Sequence, residues 1–344
     1  MWSVAVLEGR PTPTGLGQYR PLRVFNSKQV RRGRRHIHTR ADPYLIVRGE
    51  KLYLFYEVQE VGGRGYIAAC VTSDLASFED LGPVFCPTDH VSYPCVFETA
   101  DGIFMVPETK SAGEVALYRF TNFPRGVRRE RRLLTGAYSD PTIFFHGGRW
   151  WLFATQGTRL ELFSASDLVS QEFASHPMNP ICTNALLSRC GGVALQMQGG
   201  LYRPAQPALV DDGSNLRMLR IHELSVDRYS EDQSAPEFFS LIEPWQALGG
   251  HHISSVTFRG RWVTAVDGRQ HDTLVNTLLL NPLWRAVSLL MPPSAGQKGE
   301  PRPYATSSDP VVLTRLRGRR PSRAGLQQRP EPVSNRNAPA QPSR

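Results

Sequence analysis

Residues Ala41 to Glu57 read ADPYLIVRGEKLYLFYE, and the chain repeats them. Set beneath without a gap, Ser92 to Glu108 reads SYPCVFETADGIFMVPE and Ser139 to Thr155 reads SDPTIFFHGGRWWLFAT. In each copy a small residue, an Asp or Tyr and a proline lead into an apolar run, a polar turn containing Gly, and a second run of aromatic and β-branched residues. That is the pattern of two strands joined by a tight hairpin. A looser fourth copy runs from Gln206 (QPALVDDGSNLRML), and a fifth lies at His252 to Asp267 (HISSVTFRGRWVTAVD) once one residue slips. Hairpins recurring about every 50 residues indicate a repeat architecture.

Outward from the first hairpin, YIAACVTSD and FEDLGPVFC read as two more short strands split by the polar turn Ser73 to Ser77. The second hairpin is followed by EVALYRFTNF and RRERRLL, the third by RLELFSASDL, the fourth by LRMLRIHEL. Repeats of about four antiparallel strands, with no helical period between them, are the signature of a β-propeller. Runs such as LYLFY and WWLFA alternate too little for a half-solvated sheet and suit strands covered on both faces by neighbouring blades. The expectation is an all-β fold: a five-bladed β-propeller over residues 1–316, with repeats starting near residues 41, 92, 139, 203 and 251, and a disordered basic C-terminal tail over 317–344. The apolar run Val4 to Leu7 would complete the last blade, and Pro301 to Leu316 could add a final strand.

The 344 residues carry a formal charge of +9 and are 40% hydrophobic, enough for a sizeable core. Most of the basicity belongs to the tail, where ten Lys or Arg stand against three acids from Lys298 onward. Two further clusters, Arg31 to Arg35 (RRGRR) and Arg128 to Arg132 (RRERR), lack the aromatic interleaving of a single-strand binder and the helix of a duplex reader. They read first as solvated surface and second as contacts for phosphate or anionic lipid; no nucleic-acid partner is expected. The five cysteines, at 70, 86, 95, 182 and 190, form no CxxC or Cys/His pattern and suit free thiols in a reducing compartment. The N-terminus has no basic region followed by an apolar core. The closest approach to a membrane span, Val275 to Met291, is broken by asparagines, a proline and Arg285. A soluble, cytoplasmic chain with no transmembrane segment is expected, membrane association through a partner remaining open.

Asp42, Tyr93, Asp140 and Gln206 share one aligned position at the start of the inner strand and should ring one end of the channel. The second strand of each hairpin runs back, returning Glu57, Glu108 and Thr155 to that level. These positions differ between copies while the apolar frame holds, as in a binding mouth. Asp42, Glu57, Glu108 and Asp140 would face a central cavity as paired carboxyls, which inverting glycosidases need at roughly 6.5 to 9.5 Å. The plainer role for each aspartate is to cap the turn into its strand through backbone N–H groups. His90, Arg203, His251, His252, Asp267 and Arg269 lie near the same level, and Tyr44, Tyr93 and Trp151 could offer aromatic faces to a sugar. Trp150, Trp151, Phe153, Leu54 and Phe55 read first as core. No histidine pair has the spacing of a metal site, so neither a metal nor another cofactor is expected.

ADPYLIVRGEKLYLFYE, HVSYPCVFE, the MVPE ending, GEVALYRFTNFP, SDPTIFFHGGRWWLFAT, RPAQ and VDGR together resemble the N-terminal β-propeller module of the glucosamine inositolphosphorylceramide transferases, over roughly residues 2–270. Bacterial proteins carry a similar module. The most specific part is HxSYPxVFE with xxPE ten residues on. More distantly, the Asp-Pro inner strands look like the five-bladed glycosidases that act on arabinans and xylans. The resemblance implies a propeller that, in plants, is joined to a separate exostosin-like glycosyltransferase domain performing the sugar transfer. By resemblance to the glycosidases, Asp42 matches the general base of the first blade. Their second Asp, which tunes the acid, comes from the second blade, where this sequence has Tyr93; Asp140 arrives one blade later. Their acid is a Glu on an inner strand of the third blade, where none stands, which leaves Glu108 as the substitute by geometry.

The leading functional expectation is a carbohydrate-active propeller that recognises a glycan or glycolipid head group in its axial mouth and presents it to a separate glycosyltransferase. His90, Tyr93, Glu57, Arg203, Gln206, His251, His252, Asp267 and Arg269 would contact the ligand. The alternative is an inverting glycoside hydrolase with Asp42 as base, Glu108 as acid and Asp140 tuning it, since neighbouring carboxyls resist ionising together. A third reading is a protein-interaction propeller that uses its rim and basic tail.

Overall fold

Short strands rich in β-branched and aromatic residues, punctuated by Gly-containing turns, can satisfy their backbone groups only as antiparallel ladders, and five such sheets form. The computed structural model describes residues 1–26, 31–32, 35–60, 62–208, 215–239 and 243–271, all within the unit Met1–Pro292. The chain opens with β1 (Trp2–Glu8) and β2 (Arg20–Phe25). Blade one holds β3 (Arg31–Arg32), β4 (Arg35–Arg48), β5 (Lys51–Glu60), β6 (Gly65–Thr72) and β7 (Glu79–Phe85). Blade two holds β8 (Ser92–Thr99), β9 (Gly102–Glu108), β10 (Glu114–Asn122) and β11 (Arg125–Thr135). Blade three holds β12 (Ser139–His146), β13 (Arg149–Gln156), β14 (Arg159–Ala165) and β15 (Ala174–Ser175). In blade four, β16 (Arg189–Cys190) and β17 (Leu195–Met197) both pair with β18 (Gly200–Gln206), followed by β19 (Arg217–Leu224) and β20 (Tyr229–Glu231). Blade five starts with β21 (Ile253–Phe258) and β22 (Arg261–Arg269), and β1 then pairs with β22 from Trp2↔Arg269 to Glu8↔Val263. The N-terminal strand therefore completes the last blade, as expected from Val4 to Leu7. The expected final strand over Pro301 to Leu316, the tail over 317–344 and the stretch Val275 to Met291 lie outside the described residues.

Hydrogen bonds stitch each blade to the next around the ring. Tyr93 N–H donates to Asp42 Oδ2 (3.2 Å), Cys95 Sγ to Ile143 O (3.6 Å) and Thr155 Oγ1 to Ser188 O (2.7 Å). Ile253 N–H donates to Gly191 O (2.8 Å), and Leu45 N–H to Ser254 Oγ (3.0 Å) closes the circle. Between the blades lies the core. Phe55 packs on Phe120 and Phe123, and Phe153 on Tyr229, with Leu54 and Trp151 also buried as their apolar runs implied. Each such side chain contributes about 1.5–3 kcal/mol on burial. Trp150 is only partly buried. The run Arg128 to Arg132 lies on β11, the outer strand of blade two. Arg129 grips both oxygens of Glu114, and Arg131 donates to Gln171 O (3.0 Å) and Glu172 (2.8 Å). Charge of this kind discourages an edge strand from pairing with another chain.

The fourth repeat differs from its sequence-based placement. Gln206 does not open an inner strand: it ends β18, the second strand, opposite Arg189. The apparent hairpin from Gln206 joins the second and third strands, and the inner strand begins near Ser188. The residue-Pro step that marked the other inner strands is replaced here by Gly191-Gly192. A Cβ at Gly191 would lie 2.4 Å from His251 O and one at Gly192 2.1 Å from Ile253 O, so contact with blade five leaves no room for a residue-Pro step.

Candidate functional site

The repeated small-(Asp/Tyr)-Pro step has one structural meaning in three blades. Between Ala41↔Glu57 and Tyr44↔Phe55 the inner strand carries one residue more than its partner; the same shift falls at Ser92 to Cys95 and at Ser139 to Thr142. Each bulge places a non-glycine residue at positive φ: Asp42 at 54°, Tyr93 at 48° and Asp140 at 48°. The proline that follows has no N–H to lose from the ladder. Such a backbone costs about 1–3 kcal/mol per residue and persists only where its surroundings hold it.

Carboxyl groups hold it. Asp42 N–H donates to Asp267 Oδ2 of blade five (3.2 Å), Tyr93 N–H to Asp42 Oδ2 of blade one (3.2 Å), and Asp140 N–H to Glu108 Oε2 of blade two (2.8 Å). In each case the carboxyl comes from the preceding blade. Asp42 thus caps a backbone N–H, but one of the next blade rather than of its own turn. Asp140 is gripped from blade four by both Arg189 Nε and Nη2, and Gln206 Nε2 donates to its Oδ2 (3.0 Å). Asp267 Oδ1 also accepts the N–H groups of His251 (2.8 Å) and His252 (3.0 Å). Asp42, Glu57, Glu108, Asp140, Asp267 and His251 form a nearly closed floor at one end of the axis.

His251 sits between two aspartates. Its Nε2 lies 3.1 Å from Asp42 Oδ1, and its Nδ1 lies 3.1 Å from Asp267 Oδ2 but off the direction of a hydrogen bond. Burial lowers its pKa, but Asp267 and then Asp42 outweigh that, and it stands well above the ordinary histidine value. Burial raises Asp42 while His251 pulls it down further, leaving it below the usual carboxylate value. Ligand atoms of Asp42, His251 and Asp267 lie within 4.8 Å of one another, a spacing open to a metal ion. One nitrogen toward each carboxylate is, however, the arrangement of a protonated imidazole in an ion triad. Burial raises the pKa of Asp140, Arg189 opposes the rise, and Glu108 and Asp42 add to it. Three N–H donors nevertheless converge on its oxygens, and the anion is the form they fit.

Glu57 is different. His90 Nε2 lies 3.4 Å from its Oε1. Burial, then the charges of Asp42 and Glu108, push it well above the ordinary carboxyl value against the pull of His251.

Beneath the floor the axis is filled. The rings of Tyr44, Tyr93 and His252 meet at centroid distances of 5.4, 4.7 and 5.1 Å, and Tyr93 Oη bonds Thr142 Oγ1 (2.7 Å) and accepts Gly192 N–H (2.8 Å). Tyr44, Tyr93 and Trp151 are buried and present no face to a ligand. His252, buried in the same plug, has its pKa lowered by burial to about 4. Arg203 stands apart from the floor: fully buried inside blade four, it holds Glu231 through Nε (2.8 Å) and Nη2 (2.7 Å). Of the residues the sequence proposed, the structure brings Asp42, Glu57, Glu108, Asp140, Gln206, His251 and Asp267 together. His90 and Arg269 lie partly buried, His90 against Glu57 and Arg269 at the end of β22. Two residues were missed at the rim: Arg189, and Lys110, whose Nζ donates to Ser139 Oγ (3.0 Å). A turn at Gln198-Gly199 upstream of RPAQ, like His146-Gly147 upstream of WLFAT, is the signal that would have found Arg189.

The fold and this floor define a five-bladed β-propeller whose blades are clasped by axial carboxyl groups. Residues 24–269 match the family described as Glucosamine inositolphosphorylceramide transferase 1, N-terminal, and the chain belongs to that family. It is 32% identical over 244 residues to the Glucosamine inositolphosphorylceramide transferase 1 of Oryza sativa subsp. japonica and 32% identical over 247 residues to that of Arabidopsis thaliana. These alignments cover 66% of this chain and 33% and 32% of the relatives, so the chain spans about a third of their length. Among solved structures, an alpha-L-arabinofuranosidase from Clostridium thermocellum shares the fold with a TM-score of 0.51 at 13% identity, over 64% of this chain and 80% of that one. A beta-1,2-mannobiose phosphorylase from Listeria innocua does so with a TM-score of 0.53 at 10% identity, over 77% and 96%. No helix among the described residues is long and apolar enough to cross a membrane.

Proposed function

We propose that this propeller is a carbohydrate-related recognition module whose axial mouth takes a glycan or the head group of a glycolipid. The observation that carries the reading is the division of labour among the carboxyls. Asp42, Glu108, Asp140 and Asp267 are committed to clasping blades, whereas Glu57, with His90 beside it and Lys110 and Arg189 at the rim, is not needed for that task. A carboxyl held in place without a clasping role fits a ligand rich in hydroxyls. Membership of the family described as Glucosamine inositolphosphorylceramide transferase 1, N-terminal, supports a glycolipid setting; in this reading a separate glycosyltransferase performs the sugar transfer.

The hydrolase reading draws on one observation: Asp42 is held low and Glu57 high, the separation of roles that acid–base chemistry requires. Glu108, expected as the acid, accepts Asp140 N–H and is the weaker candidate beside Glu57. Both oxygens of Asp42 already face partners, which favours recognition over catalysis.

The test is a glycan-array screen of the full chain, followed by product analysis of each hit with wild type and Asp42→Asn. Binding without turnover in either protein supports recognition. Sugar release by wild type alone makes the protein a hydrolase with Asp42 as its base. If no glycan binds, the carbohydrate reading is lost.

A further inference from the structure

Glu57 lies in the last stretch of the long strand β5, opposite Ala41 on one side and Ile67 on the other. Three segments meet around its carboxyl. Gly65, the first residue of β6, donates its N–H to His90 Nδ1 (2.9 Å), and Val91 N–H returns to Gly65 O (3.2 Å). His90 Nε2 then lies 3.4 Å from Glu57 Oε1. A Cβ on Gly65 would lie 2.6 Å from His90 Cε1, 2.7 Å from Glu57 Oε1 and 2.8 Å from Val91 O. Only glycine lets the imidazole and the carboxyl approach in this way.

The backbone bond fixes the chemistry of the ring. A nitrogen that accepts an N–H carries no hydrogen of its own, so the hydrogen of neutral His90 is on Nε2, facing Glu57. Charging His90 would place a second N–H on Nδ1, directly against Gly65 N–H. The ring is thereby kept neutral, and Glu57 is denied the cation that would favour its anion. Among the described residues, the carboxyls that weigh most on it are Asp42 on β4, Glu108 on β9 and Asp140 on β12, all of which oppose a further negative charge. His251, just before β21, pulls the other way, and it is already shared between Asp42 and Asp267. Among the described residues, no backbone N–H and no arginine holds Glu57 as they hold the clasping carboxyls.

We propose that Glu57 is the carboxyl of the floor that keeps its proton at neutral pH, set in that state by Gly65 through the tautomer of His90, and that it serves the mouth as a hydrogen-bond donor. With Oε1 facing His90, the acid O–H on Oε2 is free to donate. The group it meets on a ligand must then offer a lone pair, as the ring or glycosidic oxygen of a sugar does, and an ammonium group is disfavoured there. The ligand class rests on the recognition reading above; the protonation of Glu57 does not.

The experiment is NMR of the full chain with ¹³C-labelled glutamate and ¹⁵N-labelled histidine, with Glu57→Gln identifying the Glu57 carboxyl signal. At pH 7 that signal is expected at the position of a protonated acid while exposed glutamates titrate near their ordinary value of about 4.3. His90 is expected to show a bare Nδ1 and a protonated Nε2. A Glu57 signal that titrates with the exposed glutamates, or an imidazolium spectrum for His90, overturns the proposal. Gly65→Ala is expected to release the tautomer and bring the Glu57 midpoint down by about one unit or more; an unchanged midpoint in a folded variant removes Gly65 from the device. If that variant does not fold, the wild-type ring nitrogens decide. Because the spectra need no ligand, a neutral Glu57 in a chain that binds no glycan sinks only the recognition reading. An ionised Glu57 in a chain that binds one sinks only this proposal.

Discussion

Blades one to three and blade four reach the same axial floor by opposite means. In blades one to three a residue with a full side chain is forced to positive φ, a proline follows, and the displaced N–H is taken by a carboxyl of the preceding blade. In blade four two glycines occupy the corresponding place and lie almost against the backbone of blade five. Blade four contributes charge in the other direction, sending Arg189 and Gln206 back to Asp140. The ring is thus closed by charge where its backbones stand apart and by bare backbone where they touch. A strained Asp costs free energy that its clasp must offset, whereas Gly-Gly needs only that nothing be added.

The comparison breaks most sharply at Gly192. Its φ of 132° and the 2.1 Å approach to Ile253 O leave no place for a methyl group. Gly192→Ala is expected to cost at least about 3 kcal/mol, or about 6–12 °C in Tm for a domain of this size. Thermal and urea unfolding check this; a loss below about 1 kcal/mol would mean that blade four has slack and the contrast is false.

The clasp side is tested by Asp42→Asn. Asparagine tolerates positive φ, so the backbone is spared while the charge facing His251 is removed. The expected loss is about 2–3 kcal/mol, and it should depend on pH in a defined way. The depressed Asp42 contributes stability above its unfolded pKa of about 3.9, lost as pH falls through the folded value. The raised His251 contributes below its unfolded pKa of about 6.5, lost as pH rises through the folded value. The penalty should therefore be greatest between about pH 4 and 6.5 and shrink on both sides. A flat profile across that range would show that the ion triad contributes nothing.

These differences explain what could be read in the sequence. Asp-Pro and Tyr-Pro steps are visible because the bulge needs a particular residue order, and the apolar runs around them fix hairpin spacing. That was enough to place blades one to three, the return of Glu57 and Glu108, and the joining of β1 to blade five. Blade four was misread because glycine marks a close approach without saying to what; the partner, Ile253, is 61 residues away. Arg203 looked like a mouth residue by alignment, yet its partner Glu231 sits on another strand of the same blade and draws it inside. Tyr93 and His252 lie in the axial plug, but whether an axial ring faces solvent or its neighbours depends on how far the five inner strands converge, and no local pattern encodes that distance.

The smallest effect belongs to the contact that joins the two kinds of blade. Tyr93 gives its N–H to the clasp of blade one, and its hydroxyl oxygen bonds Thr142 of blade three and accepts the N–H of Gly192 of blade four. Tyr93→Phe keeps the ring in the plug and removes only Oη, leaving Gly192 N–H without its acceptor, for an expected loss of about 1–2 kcal/mol. Combined with Asp42→Asn it becomes a test of whether charge and close contact work as one structure. Independent devices should add to within about 0.5 kcal/mol, whereas a coupling near 1 kcal/mol or more would mean that the strained backbone at Tyr93 transmits one clasp to the other. The shared residue favours coupling, because the hydroxyl that reaches blade four is set in place by the bulge that Asp42 holds; additive losses would separate the ring into two closures that meet at Tyr93 without sensing each other.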